Sequence, residues 1–426
     1  MLTVSVFLGS LLGAMALGMP IAFALLVCGV ALMVQLDAFD ARIIAENLIN
    51  GADSFPLMAV PFFLLAGELM NAGGLSRRII NLAVALVGHL HGGLGYVAIL
   101  SAVVMASLSG SAIADTAALA AILIPMMREA GYNVPRACGL MAAGGIIAPV
   151  IPPSIGFIIF GVAAGVSITQ LFLAGIFPGI LMGLSLVIAW WWSMRSEDVK
   201  PMPWRGAGHA LRELGRGLWA LGLPVVIVGG LRFGVFTPTE AAVVAAVYAM
   251  FVGIFVYREL RFAQIFDVFL AAGKTTGVVM FLVAAAFVSA WLITIADIPA
   301  QLGEFLKQFA GSKTGLVLAM MVLVLIVGAA LDFVPTVLIL TPVLMPIVKQ
   351  AGIDPVYFGV LFIINNAIGL ITPPVGIVLN VVCGVARVDM DSAIRGVWPF
   401  LLAESIVLFL LVFVPELVTV PLAWLR

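Results

Sequence analysis

Apolar tracts follow one another almost without interruption along this chain, and a single polar stretch, Arg195 to Arg216, divides them into two sets. They fall near 2–17, 20–36, 55–90, 94–127, 138–165 and 168–193, then near 218–233, 238–257, 276–296, 315–348, 356–385 and 397–415. Such tracts belong in a bilayer, where every backbone N–H and C=O needs a partner inside the protein. With 64% hydrophobic and 10% charged residues, the chain lies far from soluble domains, which run near 45–50% and about 25%. The expected fold class is an all-α polytopic membrane protein. The N-terminus is apolar from Leu2 with no basic leading region, so the first tract reads as a helix and not a signal peptide. Cys28, Cys138 and Cys383 lie far apart in apolar tracts, as small buried hydrophobes do. A formal net charge of −1 offers nucleic acid no basic face.

Six tracts, a linker and six tracts point to an internal duplication. At a shift of 221 residues, Ser107 to Met127 (SLSGSAIADTAALAAILIPMM) lies over Gly328 to Val348 (GAALDFVPTVLILTPVLMPIV). At the same shift Pro125 meets Pro346, Ala130-Gly131 meets Ala351-Gly352, and Pro152-Pro153 meets Pro373-Pro374. Gly175 and Pro178 then fall on Gly396 and Pro399. The chain divides into repeat 1 (1–194), a linker (195–216) and repeat 2 (217–426).

Two tracts per repeat are unlike simple spans. The stretch from Leu94 to Ser107 makes about 21 Å of helix, against about 30 Å for the hydrocarbon core. Ser109-Gly110-Ser111 then interrupts the tract with small and polar residues. This predicts a re-entrant helical hairpin over about 94–127, and a second over about 315–348 with its break near Ala330 to Thr336; one kinked span is the alternative. Pro153 lacks an amide hydrogen and drives Pro152 out of the helical region, so the tracts at about 138–165 and 356–385 are broken helices with freed carbonyls. Such carbonyls cost several kcal/mol each in lipid and must face protein, water or an ion.

About ten spans plus two hairpins, five full spans and one hairpin per repeat, make the repeats inverted in topology because five is odd. Most basic residues then lie on the cytoplasmic side, though charge barely separates this arrangement from one with full-length hairpin spans.

Inverted repeats with broken helices are the construction of secondary transporters, in which helix ends, carbonyls and hydroxyls bind small hard cations. The first candidate sodium site takes Ser107, Ser109 and Ser111 with the carbonyls of Gly145, Ala148 and Val150. The second takes Gly328, Asp332, Thr336, Gly369 and Thr372. Candidates for the substrate-carrying part are Asp115, Pro152, Pro153, Ser154, Asn365, Asn366, Pro373 and Pro374. Asp115 has capping of the second hairpin arm as an equal alternative. Glu68 is expected to pair with Arg77 and Arg78, Glu240 to cap a helix after Thr237-Pro238-Thr239, and Trp190-Trp191-Trp192 to anchor at the interface.

Enzyme readings find little support, and no catalytic residues and no resident cofactor are expected. The histidines are His89, His91 and His209, with no HExxH among them. Gly273-Lys274-Thr275 resembles the end of a phosphate-binding loop, but Val268 stands where its first glycine belongs.

The runs PFFLLAGELMNAGGLSRR, SGSAIADTAA, APVIPPS and LITPPVG resemble the large membrane subunit of TRAP (tripartite ATP-independent periplasmic) transporters, within the wider ion-transporter superfamily. The resemblance covers nearly the whole chain, although repeat 2 has LDFVPT where repeat 1 has SGSAIADT. It implies sodium-coupled import of a small organic acid, such as a dicarboxylate or sialic acid, across a bacterial or archaeal inner membrane. It further implies a small four-helix membrane subunit, a periplasmic substrate-binding protein, and an elevator in which hairpins and broken helices move against a scaffold. Proton coupling, or a channel or structural role, is the alternative.

In the inverted arrangement the linker is cytoplasmic and the turn after Asp297 periplasmic. Single cysteines at Lys200 and Lys307 are expected to label from opposite sides of the membrane; labelling from the same side overturns the inversion.

Overall fold

Polar and proline residues placed between the apolar tracts set where helices begin. The computed structural model describes residues 2–195, 197, 199–306 and 312–425, and every regular element among them is helical. The first half comprises α1 (Leu2–Ala16), α2 (Ile21–Gln35), α3 (Ala41–Ala52), α4 (Ala59–Ala72), α5 (Leu75–Val87), α6 (Gly93–Ser109), α7 (Ala112–Glu129), α8 (Val134–Gly145), α9 (Ile155–Ala164) and α10 (Ile168–Met194). The second comprises α11 (Ala207–Arg232), α12 (Pro238–Phe251), α13 (Phe262–Ile295), α14 (Ile298–Leu306), α15 (Lys313–Ala330), α16 (Phe333–Gln350), α17 (Pro355–Gly369), α18 (Ile377–Ala386), α19 (Met390–Phe413) and α20 (Glu416–Leu425). Asp40, Asn133, Ser167, Ser312, Asp354 and Asp389 each accept a backbone N–H at the start of the helix that follows. The expected cap on α12 is a reciprocal pair, with Glu240 N donating to Thr237 Oγ1 at 3.3 Å and Thr237 N to Glu240 at 2.8 Å.

By length and composition, eight described helices can cross a membrane, and seven more are apolar but only 10–17 residues long. Both arms of the second helix-turn-helix are among the eight, and each arm of the first is 17 or 18 residues long. That is about 25 Å, longer than the stretch from Leu94 to Ser107, because helix continues through Ser109 before the chain turns. The polar linker is also shorter than its charges indicated. Helix α11 starts at Ala207, since AGHALRELGRGLW is rich in helix-forming Ala, Leu, Arg and Glu. Lys307 lies outside the described residues.

Under the 221-residue shift α7 falls on α16 residue for residue, and α10 on α19 nearly so. The halves differ where α3, a 3-10 turn at Phe55–Met58 and α4 correspond to the single 34-residue α13. Pro56 breaks the first and no proline stands at the matching place in α13. The halves interlock: α7 packs on α18, α16 on α9, α4 on α12 and α2 on α13. At the centre, every residue of α17 from Val356 to Gly369 is buried.

Three side chains depart from the sequence expectation. Arg77 and Arg78 pair with Glu259 at 2.8 and 2.7 Å, not with Glu68, because the turn before α13 brings Glu259 to the start of α5. Burial works against charge on Glu259, but hydrogen bonds from Arg78 and Arg77 outweigh it and hold the carboxyl below its usual range. Trp190 is completely buried, donating to the Gly92 carbonyl at 2.8 Å and stacking on Tyr132 and Phe400. Only Trp191 and Trp192 are exposed as an interface anchor would be.

Helices α8 and α19 meet through glycines with almost no gap. A Cβ on Gly396 would fall 2.1 Å from the Pro135 carbonyl oxygen, and one on Gly139 would fall 2.4 Å from the Gly396 carbonyl oxygen. Gly396→Ala is expected to lower thermal stability in detergent by the equivalent of about 1–3 kcal/mol, the usual cost of overpacking. Gly215→Ala, at an open position on α11, is the control expected to leave Tm unchanged or raised, since Ala favours helix over Gly; equal Tm values for both variants would contradict the close approach.

Candidate functional site

The first helix-turn-helix reverses at Gly110, whose φ of +64° no side chain adopts readily. Ser111 starts α7, accepting from Ala114 N at 3.4 Å, so it and not Asp115 is the cap. Ser109 Oγ donates to Asp115 Oδ1 at 2.6 Å and accepts from Ser111 N at 3.2 Å. Asp115 is buried, and its second oxygen, Oδ2, has no hydrogen-bond partner among the described residues. One residue on, the Oγ1 of fully buried Thr116 is likewise without a partner.

The Thr116 hydroxyl faces the first broken helix. After α8 ends at Gly145, residues 146–154 are non-helical yet entirely buried. A Cβ on Gly145 would fall 1.6 Å from Thr116 Oγ1, so the first turn of α7 lies directly on the end of α8. A Cβ on Gly110 would fall 2.4 Å from the Pro153 carbonyl oxygen, so the tip touches the break as well. Within the break, tight turns absorb part of the backbone: Ala148 N donates to the Gly145 carbonyl at 3.2 Å and Val150 N to that of Ile147 at 2.9 Å. Ser154 donates to the Pro149 carbonyl and accepts from Phe157 N at 3.1 Å, restarting the helix as α9.

The second half repeats the plan with different chemistry. Asp332 caps α16, accepting from Phe333 N at 2.7 Å. Asn366 on α17 donates to the Phe333 carbonyl at 2.9 Å, while its buried Oδ1 has no partner among the described residues. That oxygen lies 2.8 Å from where a Cβ on Gly328 would be, and a Cβ on Gly369 would come within 2.8 Å of the Gly328 carbonyl oxygen. Gly328, Asn366 and Gly369 are thus brought together. Asn365 donates to the Met321 carbonyl, and its Oδ1 is also unpartnered there. The ring of Phe333 reaches across to Gly156 at the start of α9, so both tips converge on the first break. The two breaks differ in access: Pro152 and Pro153 are buried, Pro373 is half-buried and Pro374 exposed. Both Pro-Pro bonds are cis.

Several residues named from the sequence lie elsewhere in detail. The Val150 carbonyl turns onto Gly175 of α10, where a Cβ would come within 2.3 Å. The hydroxyl protons of Ser107, Thr336 and Thr372 go to carbonyls of their own helical turns, those of Val104, Asp332 and Ile368. Sequence reasoning passed over Thr116, although it follows Asp115 in the motif, and Glu404, a lone acid in the apolar tract of α19. Glu404 is fully buried, with both carboxylate oxygens unpartnered among the described residues.

What remains in the first cluster is a carboxylate oxygen, a hydroxyl and backbone carbonyls, the oxygen donors suited to a small hard cation. Among the described residues, no three His, Cys, Asp or Glu side chains gather as a transition-metal site would require. Helix-turn-helix tips seated on interrupted helices, with polar atoms buried between apolar helices, have the construction of a membrane transporter of the broken-helix class. The sequence places the chain within that class: the profile of the "Tripartite ATP-independent periplasmic transporter, DctM component" family matches residues 8–417, and the chain belongs to this family as a TRAP large permease. It is 58% identical to the 2,3-diketo-L-gulonate TRAP transporter large permease protein YiaN of Escherichia coli K12, over 100% of both chains. It is 36% identical to the sialic acid large permease protein SiaM of Vibrio cholerae, over 95% of each. Among solved structures, the YdaH transporter of Alcanivorax borkumensis matches with a TM-score of 0.65 over 90% of this chain and 91% of that one; at 14% identity, the likeness is one of fold.

Ser154 and Thr116 make a test of the site. Ser154→Ala removes a cap and is expected to cost about 0.5–2 kcal/mol in stability. Thr116→Val removes a hydroxyl without a partner and is expected to leave Tm unchanged or raised. A large loss of Tm in Thr116→Val would mean that its hydroxyl is engaged in the fold.

Proposed function

We propose that this permease imports a small organic acid in symport with sodium, by an elevator movement of the two helix-turn-helix units and the two broken helices. The single observation that carries the reading is the buried Thr116 Oγ1, held against Gly145 at the first break and, like Asp115 Oδ2 on the adjoining residue, without a partner among the described residues. A buried polar atom without a partner costs about 1–3 kcal/mol, and a sodium ion there would satisfy both atoms. The first ion is assigned to Ser109, Ser111, Asp115, Thr116 and the carbonyls of Gly145 and Ala148. The second is assigned to Gly328, Asp332, Gly369 and Thr372, with the Asn366 amide oxygen added.

The exchange of contacts between halves supports an inverted repeat. Helix α7 meets α18 while their counterparts α16 and α9 meet each other, the reciprocity expected of a two-fold relation. The relatives named above carry 2,3-diketo-L-gulonate and sialic acid, and the higher identity to the first favours a sugar-derived oxo acid for this chain. A small membrane subunit and a periplasmic binding protein complete the transporter, in an inner membrane.

Proteoliposomes holding both membrane subunits, supplied with the binding protein, are expected to take up 2,3-diketo-L-gulonate only under a sodium gradient. Ser109→Ala or Ser111→Ala is expected to weaken apparent sodium affinity about five- to thirty-fold, the equivalent of about 1–2 kcal/mol. Uptake indifferent to sodium and abolished by collapse of a proton gradient would transfer the coupling role to the buried carboxylates.

A further inference from the structure

The polar linker folds back over the loop between α5 and α6 and closes a polar space away from both breaks. Met202 N donates to the Gly88 carbonyl at 3.4 Å, and the Trp204 ring lies on that of His89 with centroids 4.4 Å apart. Beneath them is a cavity of about 230 Å³, lined by Asn81 and His89 on one side and by Arg205 and His209 on the other. His89 Nδ1 is buried, with no hydrogen-bond partner among the described residues. Arg205 and His209 flank the start of α11, where Gly206 offers the first amides no side-chain oxygen. None of the described lining residues is acidic. The rest of the wall is mostly apolar and includes Ile122 and Met126 of α7. The residues 221 positions after Asn81 and His89 are Leu302 and Ala310, so the duplication does not account for this polar pair.

A guanidinium, two imidazoles, an amide and an uncapped helix start supply donors and positive charge, which select an anion over a cation. The space is smaller than the about 300–1,000 Å³ of pockets for drug-sized ligands, so its occupant is small. Donors reach it from two sides, which suits the tetrahedral oxygens of phosphate better than the planar pair of a carboxylate. We infer that this cavity binds a phosphate group, with His89 Nδ1–H and the Arg205 guanidinium donating to its oxygens. Free phosphate and a phospholipid headgroup share that chemistry. The site goes beyond the symport reading and lies outside the residues assigned to ions and substrate. Its walls belong to α5 and the linker, which stay in place in the proposed elevator, and to α7, which moves. Phosphate bound there favours the present position of α7 over any other and so slows uptake.

The test is calorimetric titration of the purified two-subunit complex in detergent at constant ionic strength. Inorganic phosphate is the probe in one arm and dihexanoyl phosphatidylglycerol in the other. Saturable binding of inorganic phosphate identifies free phosphate as the ligand; saturable binding of the lipid alone identifies a headgroup. His89→Phe keeps a ring on Trp204 but removes the nitrogens, and is expected to raise Kd about tenfold, the size of one charge-assisted hydrogen bond. Arg205→Gln is expected to do the same. Lys200→Gln, in the same linker but off the cavity wall, is expected to keep the parent Kd. No saturable binding in either arm overturns the inference, and so does a parent-like Kd in both His89→Phe and Arg205→Gln. In proteoliposomes, the probe that binds, supplied on the linker side, is expected to slow uptake by the parent and not by His89→Phe. Equal slowing in both overturns the coupling to α7.

Discussion

Every interrupted helix in this protein answers to one requirement: a peptide group at membrane depth needs a partner, and lipid supplies none. The first break meets the requirement locally, through tight turns from Gly144 to Ile151 and through Ser154, which closes the break and starts α9. The tip of α6 and α7 then covers it, with Gly110 against Pro153 and Thr116 against Gly145. Tip and break fit only as a pair, because neither buries its polar backbone alone. The glycines follow from that fit, since a methyl group at Gly110 or Gly145 would occupy space already held by an oxygen.

The same requirement separates satisfied polar groups from surplus ones. Ser107, Thr336 and Thr372 return their hydroxyl protons to their own helices and keep only oxygen lone pairs to offer a ligand. Among the described residues Asp115 Oδ2, Thr116 Oγ1, Asn365 Oδ1 and Asn366 Oδ1 are buried without partners, as are Ser101 Oγ, Thr341 Oγ1 and the Glu404 carboxylate. Packing this tight admits few uncompensated polar atoms, and those of Asp115, Thr116 and Asn366 stand out because they belong to the tips and breaks themselves. Glu404 shows the limit of that argument: it is buried and without a partner among the described residues, yet lies on α19 away from either tip in sequence.

The two halves share a plan but not a site. Asp115 takes a hydrogen bond from Ser109 within the first tip, whereas Asp332 spends one oxygen capping α16 and faces a cavity. The first break is closed over and Pro374 of the second is exposed. Under the proposed symport such a difference has a use, since identical halves would place identical charges on both sides of the substrate.

Much of this was legible in the sequence because its causes are local. Apolar tract length, the paired prolines at 152–153 and 373–374, and the small-residue interruption at 109–111 act on the chain within a few residues, so they mark helices, breaks and tips directly. The 221-residue shift carried the same marks to the second half. What residues far apart in the chain do to one another was not legible. The sequence places Glu68 close to Arg77, but the fold delivers Glu259 across 182 positions. It lists Trp190 among three tryptophans, but Tyr132 and Phe400 bury that one alone. It contains Thr116 without marking it, because a hydroxyl becomes exceptional only when its surroundings are known. Sequence determines where the backbone must break; tertiary packing alone decides which polar atoms remain unsatisfied at the break, since that depends on every neighbour the fold brings within reach.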